Sequence, residues 1–125
     1  MTDKVIDASA MAALAFLEPP HSWLVEKLRG SRLFAPRLLP FEMMNVCVKK
    51  IRSQPHIRQI LLRGFANFQA TAIELRDVDP GPVMELAEHR GLSGYDASYL
   101  WLARHLGIEL VTLDVQLAKA AARSL

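Results

Sequence analysis

Short apolar runs alternate with amphipathic stretches along the whole chain, and that alternation leaves few folds open. "KVIDA" (4–8) is apolar and contains a carboxylate near its end, which predicts a buried strand. Ser9 then caps a helix running to about Leu17, and Pro19-Pro20 stops it. "SWLVEKLRG" predicts a short helix from about His21 to Arg29, closed by Gly30. "RLFAP" is too short for a helix and predicts a second strand. A longer helix runs from Leu38 to about Arg52, with Met44, Cys47, Val48 and Ile51 at helical spacing. Pro55 interrupts, and "HIRQILLRGFANFQA" predicts another amphipathic helix to about Ala70. "IELRDVD" (73–79) alternates apolar and polar as a half-buried strand does. "GPVMELAEHRG" predicts a helix with Pro82 in its first turn and Gly91 at its end. The helix of "GLSGYDASYLWLARHLG", the strand "IELVTLD" (108–114) and the helix "VQLAKAAARS" complete the series.

Strands alternating with helices imply a parallel sheet covered on both faces. The expected fold is α/β, a three-layer α/β/α sandwich with a central, mainly parallel sheet. A chain of 125 residues fits one domain spanning 1–125. With 51% hydrophobic residues it has enough apolar surface for a real core, which excludes disorder. No apolar run approaches the ~20 residues of a membrane span. "AMAALAFL" is apolar, but Asp7 interrupts its approach and "EPPH" follows where a small-residue cleavage site would stand. It is expected to be the first helix of the mature fold. The lone Cys47 rules out a disulfide within the chain, and a cytoplasmic location follows most simply. Cys47, Met43 and Met44 are expected in the core.

Right-handed crossovers place the loops after parallel strands at one edge, where open α/β sheets bind ligands. Asp7 closes the first strand and Asp114 the last. Asp96 lies in the first turn of its helix, with no basic residue three or four positions away. Glu42 lies near the start of the helix after "RLFAP", its i±3 and i±4 neighbours being Leu38, Leu39, Asn45 and Val46. The topology therefore gathers four carboxylates at one end of the sheet. Each also has an ordinary structural explanation. Asp96 suits a helix dipole, Asp7 can cap the next helix in competition with Ser9, Asp114 can cap the last helix, and Glu42 can be solvated.

Together they are harder to explain structurally, because crowded carboxylates oppose one another's ionisation. A divalent cation removes the conflict, and Mg²⁺ and Mn²⁺ prefer hard oxygen ligands. Such a site activates water and stabilises charge on a phosphate. Other chemistries find no support. His21, His56, His89 and His105 lack zinc spacing, and neither GxGxxG nor GxxxxGK[ST] nor GxSxG occurs. The mildly basic balance, net +2, neither demands nor excludes nucleic acid.

"VIDASA", "APRLLPFEMMNV", "LSGYDASYLWLARHLG" and "LVTLD", in that order, resemble the motifs of PIN-domain ribonucleases. Length and layout are similar to the VapC toxins of bacterial toxin–antitoxin pairs. The resemblance implies a divalent-metal-dependent endoribonuclease, with Asp7, Glu42, Asp96 and Asp114 holding Mg²⁺ or Mn²⁺. It places Ser9 and Thr112 as hydroxyls beside the cluster, although Ser9 also suits an N-cap and Thr112 a strand. It implies an RNA substrate, a cognate antitoxin and a homodimer. Family members often end with a further apolar strand, whereas here "AKAAARSL" closes the sequence. Lys49, Lys50, Arg52, Arg58 and Arg63 are candidates for holding RNA phosphates, and solvated helix faces explain them equally well.

Three other readings compete. A non-catalytic PIN-like module that binds RNA or protein has no need of four unpaired acids. A phosphoacceptor receiver domain needs an acidic pair where Asp7 is followed by Ala8 and Ser9. A dehalogenase-type phosphatase needs D-x-D at the same place.

Overall fold

A computed structural model describes residues 2–123. Its elements run β1 (Asp3–Ile6), α1 (Ala8–Ala15), α2 (His21–Leu28), β2 (Arg32–Pro36), α3 (Leu39–Ser53), α4 (Arg58–Ala70), β3 (Ile73–Arg76), α5 (Pro80–Arg90), α6 (Gly94–Leu106), β4 (Glu109–Val111) and α7 (Val115–Ala122). A 3-10 turn at Pro55–Ile57 joins α3 to α4. The expected three-layer α/β sandwich is the fold.

All strand pairs are parallel, in the order β3-β2-β1-β4. The chain steps outward from β1 through β2 to β3, then crosses back to place β4 on the other side of β1. Because parallel crossovers are right-handed, the helices of the outward steps cover one face and those of the return cover the other. Helices α1, α3 and α4 pack together in the first layer, and α5 packs on α6 in the second. The order reverses between β1 and β4, and the crevice outside their carboxyl ends is where such sheets bind ligands.

Burial on both sides dictates the central sequence. Val5 and Ile6 of β1 are fully buried, with Phe34 and Ala35 of β2 and Val111 of β4 beside them. Helix α1 is sunk in the core, burying Ala10, Met11, Ala12, Ala13 and Ala15. Its small side chains admit α4 closely at Gly64. A methyl built on Gly64 would overlap the Phe16 ring and come within 3.1 Å of the Ala15 carbonyl. Helix α6 ends at Gly107, whose φ of 68° suits glycine, with its N–H returned to the carbonyls of Ala103 and Arg104.

Several expectations need correction. The N-cap of α1 is Asp7, whose carboxylate accepts from the Ala10 N–H, and Ser9 lies inside the first turn. The buried stripe of α3 is Leu39, Met43 and Cys47, while Met44 and Val48 are exposed. The helix is therefore rotated about its axis relative to the expected stripe, and only Cys47 is shared. Strands β3 and β4 stop at Arg76 and Val111, shorter than their hydrophobic patterns.

Helix α7 is held by apolar contacts of Leu117 and Ala120 with Leu100 and by two arginines from the layer beneath. Arg90 Nη1 donates to the Ala120 carbonyl at 2.7 Å, and Arg104 Nη2 to the Arg123 carbonyl at 3.0 Å. These cations satisfy carbonyls at the negative end of the helix dipole. No described helix is long and apolar enough to cross a membrane.

Candidate active site

Parallel register builds the site. Ile6 pairs with Val111, so the next residues, Asp7 and Thr112, leave the sheet side by side. The Asp7 N–H continues the ladder to the Val111 carbonyl at 3.2 Å. Beyond that point side chains replace the ladder. Thr112 Oγ1 donates to Asp7 Oδ2 at 2.5 Å, and Ser9 Oγ donates to Oδ1 at 2.7 Å. The Ala10 N–H reaches the same Oδ1 at 3.0 Å. Ser9 Oγ accepts the Leu113 N–H at 2.9 Å, and Thr112 Oγ1 accepts the Asp114 N–H at 3.0 Å. Both hydroxyl protons are thus committed to Asp7. A carboxylate has about four lone-pair sites. Among the described residues three are occupied, and one on Oδ2 has no partner.

The other acids come from helix starts. Asp114 caps α7, with Oδ1 accepting the Leu117 N–H at 2.8 Å. Ser93 caps α6 by accepting the Asp96 N–H at 3.0 Å. Ser93 and Asp96 have the spacing of a capping box, yet the return bond from the Asp96 carboxylate is not made. That carboxylate has no hydrogen-bond or salt-bridge partner among the described residues. Glu42, in the first turn of α3, accepts from Tyr99 Oη at 2.6 Å through Oε1.

Electrostatics ties the acids together. Burial pushes the Asp7 carboxyl above the usual carboxylate range, against the opposing bonds from Thr112, Ala10 and Ser9, and Asp114 adds repulsion. Burial also raises Asp96, helped by Asp114 and Asp7. Glu42 is raised by burial, with the Tyr99 bond opposing and Asp96 and Asp7 adding to it. None of the four acids forms a salt bridge among the described residues.

The donor set therefore fits a divalent cation in chemistry, being all oxygen, mutually repelling and uncompensated. It is not drawn into a ready chelate. Among the described residues no three His, Cys, Asp or Glu side chains form a metal-sized group. Mg²⁺, which keeps several of its waters, suits carboxylates set apart in this way.

The basic candidates lie elsewhere. Lys49 and Arg52 follow Glu42 by seven and ten residues on α3, about 10 and 15 Å down the helix. Lys50 is half-buried, paired with Glu18 and placed over the Phe16 ring. Lys49, Arg52, Arg58 and Arg63 are exposed, without ion pairs among the described residues. A groove of about 870 Å³ between α5 and α6 has none of the four acids in its lining, which includes the arginines anchoring α7.

Sequence reasoning missed two residues. Ser93 was legible in the S-x-x-D spacing. Tyr99 had a weaker signal, its place three residues after Asp96 on one face of α6.

The PIN domain family model matches residues 4–123. The chain belongs to the PIN-domain family. Members are generally nucleases, and this PIN domain shares its fold with solved structures. PAE2754 from Pyrobaculum aerophilum is 28% identical, with a TM-score of 0.78 over 99% of this chain and 88% of its own. VapC20 from Mycobacterium tuberculosis, a toxin that cleaves the sarcin–ricin loop, is 15% identical, with a TM-score of 0.65 over 94% of this chain and 95% of its own. That second likeness is one of fold. No curated protein matches this PIN domain by sequence.

Proposed function

We propose that this PIN domain is a divalent-cation-dependent endoribonuclease acting in the cytoplasm as the toxin of a VapC-type toxin–antitoxin pair. The observation that supports it best is the set of mutually repelling carboxylates, Asp7, Glu42, Asp96 and Asp114, which have no cationic partner among the described residues at the crevice of the sheet.

Each residue has a part. Asp7 is fixed by three donors and keeps one Oδ2 lone pair for a ligand. Ser9 and Thr112 hold Asp7 and carry no reacting atom. Glu42 offers Oε2, and Asp114 keeps Oδ2 free of its capping bond. The Asp96 carboxylate has no competing hydrogen bond among the described residues and is the one that orients an attacking water in line with the scissile phosphodiester. Mg²⁺ or Mn²⁺, when bound, supplies Lewis acidity and lowers the pKa of a bound water. Lys49, Arg52, Arg58 and Arg63 hold flanking phosphates away from the cleavage point, with Lys50 the least available of the five.

An antitoxin that brings a basic side chain to the uncompensated acids would block them. The exposed Phe41, Met44 and Val48 on α3 offer an apolar stripe for homodimer formation. The test is RNA cleavage by purified protein with Mg²⁺, with Mn²⁺ and with EDTA, beside Asp96→Asn. Metal-dependent cleavage lost in the variant is expected. Full activity in Asp96→Asn removes the reading. No cleavage and no metal binding would leave a non-catalytic PIN-like module.

A further inference from the structure

We propose that Tyr99 is a positioning residue that holds Glu42 in place for a divalent cation. The inference deepens the proposed function and rests on it.

Tyr99 belongs to α6, and Glu42 to α3 in the opposite helical layer. Their side chains meet beyond the end of the sheet, where Tyr99 Oη donates to Glu42 Oε1 at 2.6 Å. The Tyr99 ring is 1% exposed and sits in the main core cluster with Leu39 and Met43 of α3. A ring so fixed makes its hydroxyl a rigid donor. Glu42 otherwise has three side-chain torsions to settle. The bond settles them through Oε1 and leaves Oε2 without a partner among the described residues, open to an incoming ligand.

A structural role alone explains the pair poorly. Phenylalanine would fill the same core volume with no hydroxyl to satisfy. A backbone carbonyl would satisfy that hydroxyl without bringing a charge out of water. Placing a half-buried carboxylate there makes sense when the carboxylate needs holding. Asp96 stands three residues before Tyr99 on the same helix, so one rigid element sets both Asp96 and the orientation of Glu42. Partners that orient a metal ligand in this way are typically worth about tenfold to hundredfold in metal affinity.

The test measures Mn²⁺ binding to the purified full chain, stripped of metal, by electron paramagnetic resonance. Wild type, Tyr99→Phe, Glu42→Ala and the double variant are compared, with circular dichroism to verify folding. Tyr99→Phe is expected to bind Mn²⁺ about tenfold or more weakly. Adding Tyr99→Phe to Glu42→Ala is expected to change nothing further. Equal binding by wild type and Tyr99→Phe overturns the inference, as does equal weakening in both backgrounds, which marks general loosening. A second measurement keeps the hydroxyl in place. The chain has two tyrosines, so fluorotyrosine-labelled Tyr95→Phe gives one ¹⁹F resonance, from Tyr99. That resonance is expected to shift and saturate with Mg²⁺. A static resonance in protein that binds the metal overturns the role of Tyr99 alone. Wild type that binds no divalent cation overturns the acidic-pocket reading, and the inference with it.

Discussion

At the scale of single residues, the crowded carboxylates cost the fold stability. Asp7, Glu42 and Asp96 all have native carboxyl groups held above their ordinary range, chiefly by burial. Between the ordinary and raised values the folded chain binds more protons than the unfolded chain, so this contribution to stability falls as pH rises. Asp96→Asn removes one charge and relieves the others. In EDTA at neutral pH its melting temperature is expected to exceed that of wild type by a few degrees at most, since Asp96 is half-exposed and solvent screens it. The gain should vanish as pH falls to the ordinary carboxylate range, and an advantage that grows on acidification would refute the coupling. Thr112 has the opposite role. Thr112→Val leaves Asp7 Oδ2 and the Asp114 N–H without their partner, at a cost of about 1–3 kcal/mol. Urea unfolding would measure it, and Thr112→Ser should recover most of it. These bonds also show the limit of sequence reading. Asp7 and Ser9 are two residues apart and both are good N-caps, so composition cannot choose between them. The choice falls to Asp7 because Ser9 Oγ is occupied by Leu113 and by Asp7 itself.

At the scale of elements, close packing decides more than propensity does. Gly64→Ala should raise helix propensity by about 1 kcal/mol in an isolated α4. Here it drives a methyl into Phe16, whose ring is covered by Lys50, itself paired with Glu18. A net destabilisation is expected, since overpacking costs about 1–3 kcal/mol, and thermal melts of the variant would check it. The order and type of every element were legible, because the period of the hydrophobic pattern changes cleanly between strands and helices. Their ends and rotations were not. The pattern of β4 continues through Leu113, but Thr112 turns away to Asp7 and the ladder stops. The stripe of α3 was misread because Met44 and Val48 are as apolar as the residues that are buried. Only the neighbouring elements decide which apolar face is covered. The acids were legible by their chain positions, while Tyr99 was hidden as one more apolar residue of a buried helix.

At the scale of the whole molecule, charge is segregated along α3. Its first turn carries Glu42, and its last turns carry Lys49, Lys50 and Arg52. If the basic end grips RNA as proposed, binding should weaken as salt rises. If Lys49 and Arg52 both touch phosphates, replacing them with alanine lowers the log–log salt slope by about 1.4 for single-stranded RNA. An unchanged slope would assign them to a solvated face. The fold also carries the register that joins β1 to β4. Asp7 meets Thr112 across 105 residues of chain. During synthesis the first strand must wait for its last neighbour, and the acids emerge from the ribosome at widely separated times. Until residue 114 is free to fold, Asp7 lacks Thr112, Ser9 lacks Leu113, and no pocket exists. Translation order is thus a built-in delay: a growing chain carries its acidic residues separately, and they come together only once the last of them has left the ribosome.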